Sequence, residues 1–211
     1  MHVRSILYVQ KRIRRKEMGK ADRDPNRNGD SSGHAAEARA LFLEGYNCAQ
    51  AVFCAFGDVT GLERDTSARL ASSFGGGLGR LREVCGAVSG AAMVLGAAKG
   101  YAEPKDTKAK KEHYERVREF AGRFRDSEGS ILCRELLSGA KQERDRTAGQ
   151  TGPGGTGVSS AAKPEGDRIP EYAKPGGDPE ERTAEYYKKR PCPELVYRAA
   201  QILEEMLEEI V

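Results

Sequence analysis

Five cysteines, Cys48, Cys54, Cys85, Cys133 and Cys192, are the residues of this 211-residue chain best equipped for chemistry. A thiolate is at once a nucleophile, a redox centre and a ligand for soft metal ions. An odd number of cysteines dispersed along the chain does not make a small disulfide scaffold. No two of them have the Cys-x-x-Cys spacing, which removes a local thioredoxin-type motif and a zinc ribbon. Other catalytic chemistry is thin. His2 and His34 lie in or beside the N-terminal tail, and His113 sits among charges. Neither a Ser-His-Asp set nor an HExxH motif is present. The run Phe74-Gly75-Gly76-Gly77-Leu78-Gly79-Arg80 lacks the third glycine and the preceding strand of a dinucleotide fingerprint. It also lacks the Gly-Lys-Ser/Thr ending of a P-loop. Its expected role is a tight turn that brings Cys85 close to other backbone.

The elements that must position these thiols read as helices. Apolar spacing predicts a helix from His34 to Phe56, with Leu41, Gly45, Cys48, Ala49, Val52, Phe53 and Phe56 on one broad face. Cys48 sits near the middle of that face. Cys54 lies on the other side, near Leu43 and Asn47, and is assigned to packing. A short helix is expected over Glu63–Ser73. Another starts near Val84 or Cys85 and ends near Ala98, with Gly100 as its stop. In its interior, Gly86 and Gly90 stand four apart beside small residues, each costing ~1 kcal/mol against Ala. A tight approach of a helix or a ligand must offset that cost, so Gly86 and Gly90 are candidate cofactor-binding positions.

Asp106–Asp126 reads as a long amphipathic helix with Tyr114, Val117, Phe120, Ala121 and Phe124 as its stripe. Cys133–Leu137 forms a short helix, order returns over Glu180–Lys188, and a last helix runs from Pro193 to Ile210. No strand pattern of any length occurs. The expected fold is an all-α small helical bundle of five or six helices. Residues 34–140 form its core and 179–211 complete it. A disordered polar tail is expected over 1–33, and a disordered Gly/Pro-rich insertion over 141–178.

On this reading Cys85, Cys133 and Cys192 stand at helix starts, where unsatisfied N–H groups favour thiolate over thiol. Arg80, Arg82, Arg134, Lys189 and Arg190 lie nearby in sequence and push the same way. Cys48 faces the core, where a bundle can bring it to the others.

Composition narrows the setting. Hydrophobic residues make up 38% and charged residues 32%, with 7% aromatic residues and no Trp, which describes a modest aliphatic core with polar segments attached. A net charge of +3 calls for no specific nucleic acid partner, and the patch Lys11, Arg12, Arg14, Arg15 and Lys16 reads as a solvated basic tail. The most apolar stretch, Val84–Ala98, is shorter than the ~20 residues of a transmembrane segment. The run Ile6–Val9 is shorter than the ~7–15 apolar residues of a signal peptide. A cytoplasmic location with reduced thiols is therefore expected. Glu204, Glu205, Glu208 and Glu209 read as a solvated acidic face.

Several segments together carry a family resemblance. They are Gly45-Tyr-Asn-Cys48-Ala-Gln-Ala-Val, Phe74-Gly-Gly-Gly77, Cys85-Gly-Ala-Val-Ser-Gly90-Ala, Gly129-Ser-Ile-Leu-Cys133-Arg-Glu-Leu-Leu, and Cys192-Pro with its trailing helix. In these the chain resembles the C_GCAxxG_C_C family of redox-active proteins over about residues 35–140 and 180–211. The resemblance implies a small, mostly helical bacterial or archaeal protein with redox activity or metal binding and no established reaction. It carries the four cysteines of the signature onto Cys48, Cys85, Cys133 and Cys192. The tail, the extra Cys54 and the insertion depart from the pattern.

Three functions stay open at this point. Cys48, Cys85, Cys133 and Cys192 could hold an iron–sulfur cluster or another thiolate-bound metal. Pairs such as Cys85 and Cys133 could cycle between dithiol and disulfide. Alternatively, the chain is a non-catalytic helical binding protein with packed thiols. For the first two, activity centres on Cys85, the partner is a redox partner or a membrane transporter, and the chain could form a homo-oligomer.

Overall fold

In the computed structural model, which describes residues 33–139 and 171–209, the stretch expected to form one helix over 34–56 forms two. The reason lies in Gly45 and Asn47. Gly45 adopts φ +113°, and the chain leaves helix α1 (His34–Leu43) there. The Asn47 side chain then accepts from the N–H groups of Ala49 and Gln50, while Gln50 Oε1 accepts from the Asn47 N–H. This reciprocal capping starts a new helix, α2 (Cys48–Ala55), and makes Cys48 its first residue.

Among the described residues seven further helices follow: α3 (Gly57–Thr60), α4 (Arg64–Ala71), α5 (Gly86–Lys99), α6 (Thr107–Glu128), α7 (Cys133–Leu137), α8 (Ala184–Lys188) and α9 (Cys192–Glu209). Short 3₁₀ turns cover Ser72–Phe74 and Glu171–Ala173. No strand occurs among the described residues, so the fold is all-α as the sequence predicts. Gly129 ends α6 with φ +88°, a left-handed closure that glycine adopts without strain. The tail 1–32, the span 140–170 and Ile210 lie outside the described residues. Residues 171–178, which composition assigns to the insertion, are held against the core by arginines 80, 82 and 190.

Helix α9 is the central strut. It packs on α1, α2, α5 and α6, burying Leu195, Val196, Ala199, Ile202, Leu203 and Met206. Phe42, Phe56, Phe120, Phe124, Leu41, Leu95, Val52 and Val94 complete the core. Of the stripe expected on α6, Phe120 and Phe124 are buried. Tyr114 stays 47% exposed, because its ring meets Tyr101 outside the core.

The Gly86/Gly90 face resolves as a helix contact. A Cβ on Gly90 would lie 2.6 Å from the Ala49 carbonyl oxygen, and one on Gly86 would lie 3.1 Å from Cys48 Cβ. Both glycines let α5 lie directly against the start of α2. Gly90 faces Ala49 and Val52, which accounts for it by helix packing and not by a ligand.

The acidic face of α9 is also more engaged than a solvated surface. Glu204 accepts from His34, whose ring stacks on Phe56 at 4.2 Å and reaches Asp58 with Nε2 at 3.0 Å. Glu209 pairs with both terminal nitrogens of Arg123, at 2.9 and 2.6 Å. No helix among the described residues is long and apolar enough to cross a membrane.

Candidate functional site

All four signature cysteines stand at helix starts: Cys48 opens α2, Cys85 is the residue before α5, Cys133 opens α7 and Cys192 opens α9. A short backbone ladder sets two of them side by side. The Cys85 N–H donates to the Ile131 carbonyl at 2.8 Å, the Cys133 N–H donates to Glu83 at 2.6 Å, and Val84 pairs with Leu132 in an antiparallel bridge. Arg134 N–H extends the ladder to Arg82. The glycine-rich loop closes over this ladder. Gly77, at φ +73°, passes so near that a Cβ there would lie 2.7 Å from Cys133 Cβ. The loop is thus the tight turn the sequence implies. It continues into three non-glycine residues in the left-handed region, Leu78, Arg80 and Arg82. Such conformations are uncommon for residues with a Cβ and persist only where surrounding contacts enforce them.

The four sulfurs line one cavity of about 480 Å³. Cys54 is not among its walls. It is buried 5% exposed on the far side of α2, and its Sγ donates to the Arg64 carbonyl at 3.7 Å. Gly86 lines the cavity and Gly90 does not.

Arginines form the rest of the wall. Arg82, 2% exposed, donates to the carbonyls of Tyr172 (2.8 Å) and Lys174 (3.1 Å) and pulls the Cys133 thiol downward. Arg190, 5% exposed, donates to Glu180 and to Tyr172, and stacks on the rings of Tyr172 and Tyr186. Arg182 is clasped by the rings of Phe42, Tyr186 and Tyr187. Arg80 reaches Glu180 and the Gly176 carbonyl. Sequence proximity to the cysteines pointed to Arg80, Arg82 and Arg190. It did not point to Arg182, Tyr186 or Glu180, which stand roughly two to four helical turns' worth of chain before Cys192 and carry no motif. Arg134 and Lys189 turn outward, pairing with Glu83 and Glu185.

These charges separate the thiols. The Cys48 thiol is hydrogen-bonded to the Cys192 sulfur, which holds Cys192 below the ordinary thiol range. Arg190, Arg182 and Arg82 push it the same way and burial opposes them. The same bond raises Cys48 well above that range, helped by burial. Burial pushes Cys85 up to about 12, and the N–H groups of Ala87 and Val88 only partly oppose it. Cys133 is raised by burial and by the nearby Cys192, against the pull of Arg82. A helix start alone is therefore not enough to favour thiolate here. The environment that does so falls on Cys192, through the Cys48 thiol first and the arginines after it, whereas Cys85, where the sequence centres the activity, is raised.

An iron–sulfur cluster or single soft ion needs three or four deprotonated ligands gathered around it. Among the described residues, no group of three or more His, Cys, Asp or Glu side chains is gathered closely enough to hold one ion. As they are placed, these donors do not form such a centre.

Fold and site together define a helical protein whose four dispersed cysteines meet on one arginine-lined cavity. The family model described as Putative redox-active protein (C_GCAxxG_C_C) matches residues 46–206, and the chain belongs to that family. Among curated proteins and among solved structures, no match is found.

Proposed function

We propose that this chain performs thiol–disulfide exchange through Cys192 and Cys48. Cys192 is the attacking thiolate and Cys48 the resolving thiol. The observation that carries the reading is that Cys48 and Cys192, each the first residue of its helix, line the same cavity, with Cys192 lowered and Cys48 raised by their mutual influence. Such a pair has the proximity that disulfide closure needs, and one member is already activated. All five cysteines are free, so the arrangement is that of the reduced state. Cys192 attacks a disulfide sulfur of the oxidised substrate and its thiolate leaves. Cys48 then gives up its proton and attacks the Cys192 sulfur, releasing the second substrate thiol. Two electrons pass from the protein dithiol to the substrate disulfide. A dithiol of a reducing partner protein returns the pair to its starting state. Cys85 and Cys133, both buried and raised, stand beside the pair as protonated thiols.

The test is residue-resolved alkylation against pH, followed by diamide oxidation and peptide mapping. Cys192 is expected to react fastest at pH 7, with a midpoint below the free-thiol value of ~8.5. Diamide is expected to give a Cys48–Cys192 disulfide. A Cys192 midpoint at or above the free value, or a disulfide map that leaves Cys48 and Cys192 unpaired, would remove the proposal.

A further inference from the structure

The cavity wall carries four guanidinium groups, from Arg80, Arg82, Arg182 and Arg190, against one carboxylate, Glu180. Glu180 is already shared between Arg190 and Arg80. Arg82 donates to two backbone carbonyls. Arg182 differs. Its Nη2 reaches the Tyr46 carbonyl at 3.4 Å, but its Nη1 is buried with no hydrogen-bond partner among the described residues. A buried donor on a charged group is costly to leave unmade. The rings of Phe42 and Tyr186, each with its centroid 4.7 Å away, stack against that guanidinium.

We infer that the substrate of the Cys192–Cys48 pair is a small organic disulfide bearing carboxylate groups, anchored by a carboxylate on Arg182. The inference rests on the exchange reaction proposed above and names its substrate class. Arg forms strong charge-assisted hydrogen bonds to carboxylates, and one carboxylate oxygen accepting from Nη1 makes the bond that is otherwise unmade. Size argues against a bare inorganic oxyanion. The 480 Å³ cavity lies in the range of small-molecule sites, whereas water-sized groups take up only ~30 Å³ each. The thiolate supplies the reason for a disulfide: the sulfur it attacks must sit in the same cavity as the anchor. The balance is that of the exchange reaction. Cys192 forms a mixed disulfide as one carboxylate-bearing thiolate leaves. Closure by Cys48 releases the second, and the Cys48 proton ends on one of the two products.

The experiment uses the full reduced chain, anaerobically, in single turnover with three disulfides. Dithiodiglycolate is dianionic, hydroxyethyl disulfide is neutral and cystamine is dicationic. Each rate of Cys48–Cys192 disulfide formation is divided by that reagent's rate with mercaptoethanol, which removes intrinsic reactivity. The dianion is expected to exceed the neutral reagent by about tenfold or more, and the dication to fall below it. Added salt should narrow the gap. Arg182→Gln should bring the dianion-to-neutral ratio close to unity, and Arg182→Lys should leave it in between. Equal normalised rates for the dianion and the neutral reagent in the wild-type chain would overturn the inference, whatever the variants do. So would an unchanged ratio in a folded Arg182→Gln. If diamide closes the pair but none of the three disulfides does, the substrate class falls and the exchange reaction stands. If diamide also fails to close it, both fall.

Discussion

Adding one methyl group at Gly90 should destabilise the protein, and adding one at Gly96 should stabilise it. Both glycines lie inside α5, so each Gly→Ala change brings the same helix-propensity gain of ~0.8–1 kcal/mol. Their surroundings differ. At Gly96 a new Cβ meets nothing within 4 Å, and the gain stands alone. At Gly90 it would lie 2.6 Å from the Ala49 carbonyl oxygen and 3.1 Å from both Ala49 Cα and Val52 Cβ. Two of these are backbone atoms of α2, so relief requires the helices to part. Overpacking of this kind costs about 1–3 kcal/mol. The difference between the two variants cancels the shared propensity and isolates the close approach. Urea unfolding should therefore place Gly90→Ala about 1–3 kcal/mol below Gly96→Ala, with an unchanged dependence on urea. Because α2 carries Cys48, Gly90→Ala should also slow closure of the Cys48–Cys192 disulfide. A difference within about 0.5 kcal/mol, the usual scatter of surface substitutions, would refute the packing argument.

Three further outcomes are expected. Cys48→Ala removes the hydrogen bond that does most to lower Cys192, so the Cys192 alkylation midpoint should move up in pH; an unmoved midpoint would assign the effect to the arginines alone. His34 is raised by its bonds to Asp58 and Glu204 against the effect of burial, so its contribution is full below ~6.5 and is lost as pH climbs through the raised folded value. Asp58 is lowered by His34, so its share is full above ~4 and is lost as pH falls. The stability gap between wild type and His34→Phe should accordingly be widest at roughly pH 4–6.5 and narrow toward pH 9, as measured by urea titration at each pH. Gly77→Ala places a Cβ at φ +73° and against Cys133, and should cost more than the ~1 kcal/mol typical of a point change, with faster alkylation of Cys133; thermal unfolding and a Cys133-resolved alkylation rate check it.

Much of the fold was legible in local sequence. Apolar spacing gave α9 and the long α6 to within about two residues, and Gly129 and Gly100 marked helix ends. Such signals are local, since a helix closes its hydrogen bonds within four residues. The same locality explains the error over 34–56. The apolar face runs unbroken through both α1 and α2, and only the Asn47–Gln50 capping pair and Gly45 announce the break. That pair was readable in the sequence but gave way to the periodicity.

By itself the sequence singled out four dispersed cysteines as candidates, put three of them, Cys85, Cys133 and Cys192, at helix starts, and described a chain without strands. Tertiary structure alone decided that these four cysteines share one cavity, that Cys48 opens a helix, and that Cys192 is the one favoured as thiolate. The physical reason is that a thiol's ionisation depends on what surrounds it in space. Burial raises Cys85 and Cys133 despite their helix starts. Arg182 and Arg190, brought in just ahead of α9, and Arg82, from the glycine-rich loop, converge with the Cys48 thiol on Cys192. No spacing along the chain encodes that convergence.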